Sequence, residues 1–390
     1  MFPTNNGLKD SNENMILSGN FPITDMPLSY SYKIQTKPRF RSLIALGNPI
    51  VDISAEINKE SIEKYHLSWG ETVFADQYNV GFFQELENMP RVTYIPGGSI
   101  QNTLRVTAWC LFMDQNNKNN YKVTMLGATG KDNYRDKIIN AFKYIGVNPI
   151  LEMIPNMQTS RCGVGINQKE RCLLPEIRAS NCITEEFINE HQKEIDEHDA
   201  LLIEGYFLQE KFELCKNLCT QFKVDRKKIV ILTLSAVTIV QNNYDKVLDI
   251  CNYSDIIVGN MAELEELARV KNVDYKTTIE KASKNLSNKE RLFVITTGSK
   301  GVIVGKYDYK KENMDFILQS FPNVIKSDEI VDLNGAGDAF LGGFLSQYMQ
   351  GKKLTTCCKA GNDAASVILK NIGCTFTKNA IIHFRDYSII

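Results

Sequence analysis

No stretch of this 390-residue chain approaches the roughly 20 consecutive apolar residues that a membrane-spanning helix needs. An excess of either charge is missing too: 45 Lys and Arg face 46 Asp and Glu, for a formal net charge of -1. Nothing electrostatic therefore points to a nucleic acid or a membrane surface as partner. The N-terminus has no basic start followed by an apolar core, so it does not read as a secretory leader. Residues 1–37 are instead polar and rich in Asn, Ser and Pro. They are expected to form a disordered extension, with 38–390 as the folded part and the cytoplasm as the default compartment. Histidines number only four, and the ten cysteines include no CxxC pair. Cys215 and Cys219 would share one helix face, whereas the neighbours Cys357 and Cys358 would point apart. Reduced, mostly buried thiols are expected rather than a zinc site or disulfides. Two nucleotide-binding signatures are also absent. There is no GxxxxGKS/T run, which disfavours a P-loop NTPase, and Gly127-Ala128-Thr129-Gly130 does not complete the GxGxxG of a dinucleotide-dependent oxidoreductase.

Short apolar runs alternate with helix-patterned segments over most of the chain. The strand candidates are 42–47, 122–126, 200–204, 228–232, 256–258, 292–296 and 302–306. The helical candidates are 100–114, 134–145, 210–222, 261–270, 277–287, 338–350 and 355–371. Strands that are apolar throughout and alternate with helices predict a mostly parallel sheet covered on both faces, with ligands beyond the carboxyl ends of the strands. Segments 51–57, 91–95 and 161–174 read differently, as apolar and polar by turns. They predict a small separate sheet, either as extra edge strands or as a lid over the site.

The chemistry is concentrated in glycine-rich turns. Val331-Asp332-Leu333-Asn334-Gly335-Ala336-Gly337-Asp338 leads directly into an apolar, helix-patterned run. A helix start offers free N–H groups and a positive dipole end, and glycines let that backbone approach a phosphate. A carboxylate at this junction would repel a phosphate. It makes sense as a base that takes a proton from a hydroxyl about to attack phosphorus. A second glycine turn, Gly97-Gly98-Ser99-Ile100-Gln101-Asn102, brings an amide that can both donate and accept, as sugar hydroxyls require. Asp52, five residues beyond Gly47, could accept two neighbouring hydroxyls or could be a plain turn residue. Asn260 and Glu263 stand about one helical turn apart. They could hold a hydrated Mg²⁺, or Asn260 could be a simple helix cap. Thr296-Thr297-Gly298-Ser299-Lys300-Gly301 could be a hairpin or a loop facing a nucleotide.

Taken together, these motifs resemble the ribokinase-like (PfkB) carbohydrate and nucleoside kinases. Gly97–Asn102 is similar to the first glycine signature of that family, and Asp332–Asp338 to the second, DTxGAGD. Finer features, namely Gly47-Asn48-Pro49, the Gln101-Asn102 pair and Gly373-Cys374-Thr375-Phe376, resemble the branch that phosphorylates adenosine.

The resemblance implies a ribokinase-like three-layer α/β/α fold with a mostly parallel central sheet. It also implies a small β-sheet lid from about 50–58, 90–96 and 160–176. The reaction it implies is transfer of the ATP γ-phosphate to the 5′-hydroxyl of adenosine, with Mg²⁺ and a monomeric enzyme, while a K⁺ requirement is left open. Asp338 becomes the base, the amides of Gly335, Ala336 and Gly337 the anion hole, and Arg171 a contact to the transferring phosphate. Asp52, Asn48, Gly98, Ser99 and Asn102 would bind the ribose, with Ile50 and Phe207 sandwiching the purine. Thr296, Gly298, Gly301, Asn334 and Asn260 would contact the nucleotide, and Glu263 would reach the metal through water. Leu333 departs from the signature threonine, and Glu176 and Arg178 are charged near the base of the lid. The alternatives are another kinase of the family, acting on a different nucleoside or sugar, and a non-catalytic regulatory member.

Overall fold

The computed structural model of the protein describes residues 40–113, 120–168, 170–287, 289–320 and 325–376; the expected extension over 1–37 lies outside the described residues. In chain order the strands are β1 (Ser42–Leu46), β2 (Ile50–Glu56), β3 (Thr93–Gly97), β4 (Lys122–Thr129), β5 (Asn148–Met153), β6 (Ser160–Asn167) and β7 (Glu170–Glu176). They continue with β8 (Ala200–Glu204), β9 (Ile229–Thr233), β10 (Ile256–Asn260), β11 (Leu292–Thr296), β12 (Val302–Asp308) and β13 (Asn313–Ser320). Nine of these form one sheet in the order β13-β12-β11-β10-β9-β8-β1-β4-β5. Pairing is parallel from β5 to β11 and antiparallel at β12 and β13.

The period of two along each strand explains why the sheet is covered twice. Leu43 and Ala45 of β1 join one core with Ala200 and Leu202 of β8. Ile44 and Leu46 join the other with Leu201 and Ile203. Helices Ser99–Phe112, Asn133–Ile145, Ala336–Met349 and Leu354–Ile368 supply Leu104, Ile138, Phe344 and Ile368 to the first core. Helices Phe212–Thr220, Tyr244–Tyr253, Met261–Ala268 and Tyr275–Lys284 supply Leu214, Ile250, Leu264 and Ile279 to the second. This is the ribokinase-like α/β arrangement, three layers deep. Strands β5 and β13 are not among those the sequence pattern predicts. The ten cysteines are free thiols, all buried except the half-buried Cys182. Among the described residues, no helix is long and apolar enough to cross a membrane.

A second sheet, β3-β2-β6-β7, stands apart from the first. Its two faces differ. Ile53, Ala55, Cys172 and Leu174 pack on Phe82, Phe83 and Leu86 of the helix Gly81–Glu87. Ladder pairing puts Asp52 beside Cys162, and Arg171 beside Ile166, on the opposite face. That face also carries an apolar cluster of Ile50, Cys162, Val164 and Ile166.

Candidate active site

The site gathers where parallel strands of the large sheet end and two helices begin. Gly98 caps the helix Ser99–Phe112 with φ 90°, and Gly335 caps the helix Ala336–Met349 with φ 77°. Both lie in the left-handed region that suits glycine. Neither cap has a side-chain oxygen, so the first N–H groups of both helices lack the usual partner. Neither helix start is capped by its own N-cap side chain; at the first, Ile100 N donates instead to Glu204 Oε2 at 3.2 Å.

Asp338, in the first turn of the second helix, joins these two starts. Ser99 Oγ donates to its Oδ1 at 2.8 Å and Asn102 Nδ2 to its Oδ2 at 3.0 Å. Burial pushes the Asp338 pKa above its ordinary value, and the bonds from Asn102 and Ser99 pull it back. The result is a carboxylate more basic than a free one and held in a fixed direction. Asp52 is raised to about 7 by burial; Arg105 opposes the shift, while Asp338 and Asp332 add to it. The Arg105 guanidinium is buried, donates from Nη1 to Pro96 O at 2.8 Å and lies over the Phe376 ring.

Two amide oxygens beside these carboxylates, Asn48 Oδ1 and Asn102 Oδ1, are buried and accept no hydrogen bond within the protein. Unpaired buried acceptors are costly, on the order of 1–3 kcal/mol each. Their orientation is not arbitrary, because each amide nitrogen is tied to a carboxylate: Asn102 to Asp338 and Asn48 to Glu204. Both can accept from a donor that enters the site, as a hydroxyl supplies.

The glycine turn is anchored by Asp332. Its Oδ1 accepts Asn334 N at 3.0 Å and its Oδ2 accepts Gly373 N at 2.9 Å. Arg171 reaches the same place from β7: its Nη2 donates to Val331 O at 3.4 Å and its Nε lies 3.8 Å from Asp332 Oδ2. Its Nη1 is held by Gln168 O and Glu170 O, and its Nε is buried without a hydrogen-bond partner. Gly337 has open space where a Cβ would stand, and Leu333 is 71% exposed.

Asn260 and Glu263 form a reciprocal capping box, with Glu263 N donating to Asn260 Oδ1 at 2.9 Å and Asn260 N donating to Glu263 Oε2 at 3.0 Å. The cap reading is thus the observed one, and burial lifts Glu263 to about 7. Among the described residues, no three His, Cys, Asp or Glu side chains gather to hold a metal ion. The oxygen donors of Asn260 and Glu263 suit a hard cation that keeps most of its waters. Register pairs Asn260 with Thr296, at the mouth of a loop whose Gly298 and Gly301 have φ 58° and 99°.

One expectation is corrected. The Phe207 ring is fully buried in the core with Ile203, Leu208 and Cys215. Ile50 belongs to the small-sheet cluster, so the two cannot sandwich a base. The accessible aromatic is the neighbouring Tyr206, whose hydroxyl is pushed up to about 12 by burial and by the charges of Asp338, Glu204 and Glu263. Sequence reasoning also missed Glu204 and Arg105. A lone charge closing an apolar strand was the only signal for Glu204, and a charge inside an apolar helix pattern the only one for Arg105.

A three-layer α/β domain that aims a basic carboxylate and two glycine-capped helix starts at one place defines a phosphotransferase for small hydroxyl-bearing molecules. Comparison with known proteins agrees. The model for the pfkB family carbohydrate kinases matches residues 63–380, and the chain belongs to this family. It is an ATP-dependent kinase. Adenosine kinase 2 of Arabidopsis thaliana is 28% identical over 86% of this chain and 95% of its own length. The Trypanosoma brucei brucei adenosine kinase structure is 28% identical with TM-score 0.76, covering 86% of this chain and all of that one (100%). The Anopheles gambiae adenosine kinase, in complex with P1,P4-di(adenosine-5) tetraphosphate, is 27% identical with TM-score 0.74, covering 85% and 96%.

Proposed function

We propose that the protein transfers the γ-phosphate of ATP to the 5′-hydroxyl of adenosine, giving AMP and ADP. The observation that carries this reading is the pair of unpaired buried acceptors, Asn48 Oδ1 and Asn102 Oδ1, set among Asp52 and Asp338. A ribose supplies hydroxyl donors to such acceptors, and the relatives' named activity supports adenosine as the nucleoside. Asp52, Asn48, Gly98 and Asn102 hold the ribose, while Ile50 and its apolar neighbours on the small sheet give the purine a surface.

In this reading Asp338 takes the proton of the 5′-hydroxyl as its oxygen attacks the γ-phosphorus, and Ser99 and Asn102 keep the receiving carboxylate in line. Negative charge on the transferring group is met by the amides of Gly335, Ala336 and Gly337 and by the helix dipole behind them. Arg171 adds a cation from the small sheet. Thr296, Gly298, Gly301 and Asn334 contact the nucleotide, and Asn260 and Glu263 would hold a hydrated Mg²⁺, which would supply positive charge to offset that of the ATP phosphates. The small sheet acts as a lid. By carrying Asp52 and Arg171 on its inner face, it couples nucleoside binding to the exclusion of water, which otherwise competes for the phosphoryl group.

The test is a kinase assay with ATP and Mg²⁺ against a panel of nucleosides and free sugars, measuring the phosphorylated product. Adenosine should give AMP with the highest kcat/KM. Product from a free sugar but from no nucleoside would refute the reading.

A further inference from the structure

We propose that Glu204 is the positioning residue for nucleoside binding. From the end of β8 its carboxylate holds both turns that carry the sugar contacts and fixes which end of the Asn48 amide faces the substrate. The inference rests on the nucleoside reading above.

Glu204 is 1% exposed and follows four apolar residues, Ala200 to Ile203. Its Oε1 accepts Asn48 N at 2.8 Å and Asn48 Nδ2 at 3.3 Å, and its Oε2 accepts Ile100 N at 3.2 Å. The donors lie 156 and 104 residues away in sequence. Parallel pairing of Leu46 with Ile203 brings the Gly47–Asn48 turn beside Glu204. Gly47 permits the approach, because a Cβ there would stand 2.6 Å from Glu204 Oε1.

The helix Ser99–Phe112 explains why a distant carboxylate is needed. Its cap residue, Gly98, carries no oxygen and has no room for one, since a Cβ would meet Asn48 O at 2.6 Å. Ser99, the next residue, commits its hydroxyl to Asp338. The cap for Ile100 N therefore comes from another strand. This arrangement leaves Gly98 and Ser99 free for the site while their backbone stays fixed.

Asn48 is oriented by the same group. With an N–H of Nδ2 bonded to Glu204, the amide is held so that Oδ1 is its buried acceptor without a donor. Three N–H groups converge on the two oxygens of Glu204. A glutamine there would offer one oxygen and set its own N–H₂ against one of those donors, although its shape is nearly the same.

Glu204→Gln is the variant to test, with nucleoside KM, ATP KM, kcat and thermal melting measured together. Nucleoside KM should rise by about tenfold or more, the scale of one buried polar group left unpaired. ATP KM and kcat at saturating nucleoside should change far less. The preference for the parent nucleoside over its 2′-deoxy or 3′-deoxy analogue should shrink for the hydroxyl that Asn48 Oδ1 accepts. A merely structural role would lower the melting temperature and leave KM and that preference unchanged, which would overturn the assignment. Should Glu204→Gln not fold, Glu204→Asp keeps the charge, draws it back by one methylene and carries the same expectation. A wild-type protein that phosphorylates no nucleoside overturns the site reading itself. A wild type that does so beside an unaltered variant overturns only the role of Glu204.

Discussion

The carboxylate of Asp52 occupies the space where a side chain at Gly97 would begin: a Cβ built there would stand 2.2 Å from both Oδ1 and Oδ2. The backbone cannot yield easily, because the β2–β3 ladder pairs Ile50 with Gly97 and Asp52 with Ile95. Gly97→Ala must therefore push the carboxylate away from its position. The variant should lose nucleoside affinity on the same scale as Asp52→Ala, roughly 1–3 kcal/mol for a buried hydroxyl pair deprived of its acceptor. Calorimetric titration of both variants checks this, and wild-type affinity in Gly97→Ala would remove Asp52 from the ribose site.

The proposed ribose contact of Asp52 should also make nucleoside binding depend on pH. Its pKa of about 7 reflects burial, partly offset by Arg105 and reinforced by Asp338 and Asp332. Accepting two hydroxyls requires the ionised form, so affinity should be full above pH 7 and fall below it, towards about tenfold per pH unit for one proton. Fold stability runs the other way. The folded pKa lies above the unfolded value, so the folded state binds the extra proton. The contribution of Asp52 to the stability of the ligand-free protein therefore falls as pH rises from about 4 to 7. Calorimetry from pH 6 to 8 should show the affinity slope in the wild type and a flatter profile in Asp52→Asn.

Asp338→Asn separates chemistry from binding. An asparagine keeps the shape and can still accept from Ser99 or Asn102, but it cannot take the proton of the attacking hydroxyl. Turnover should fall by about 10²–10⁴-fold, the usual worth of a general base. Nucleoside affinity should stay near that of the wild type. Near-normal turnover in stopped-time assays of AMP formation would move the base elsewhere.

How much of this was legible in the sequence depends on how local each relationship is. β1, β8 and β11 each hold an unbroken apolar run, Leu43–Leu46, Ala200–Ile203 and Leu292–Ile295, because both faces are covered, and such runs stand out. β5 opens with Asn148-Pro149, which reads as a turn, and β13 is a half-exposed edge strand with polar residues at both ends. Ser99, Asn102 and Asp338 could be named because each lies within a glycine-rich turn whose geometry follows from a few neighbouring residues. Glu204 could not, since its partners at positions 48 and 100 meet it only after the sheet has formed. Phe207, expected beside the base, turns into the core, and its neighbour Tyr206 is the exposed ring. Which of two adjacent aromatics after β8 points into the core depends on helix phase, and the first helical turn there, Gly205–Glu210, has too few residues to set that phase from sequence.

The burial of Phe207 can be tested by Phe207→Ala. The ring is fully buried among Ile203, Leu208 and Cys215, so truncation leaves a cavity in the core beneath the sheet. Loss of a buried phenyl ring typically costs about 3–5 kcal/mol. The melting temperature should drop sharply, while the nucleoside KM of the protein that stays folded should remain close to wild type. Tyr206→Ala should do the reverse. Its side chain is 39% exposed and lies close enough to Asp338, Glu204 and Glu263 to feel their charges, so its removal should disturb nucleoside binding more than stability. Melting curves and nucleoside KM values for the two variants decide the matter. A large KM effect in Phe207→Ala without loss of stability would return the purine contact to that ring.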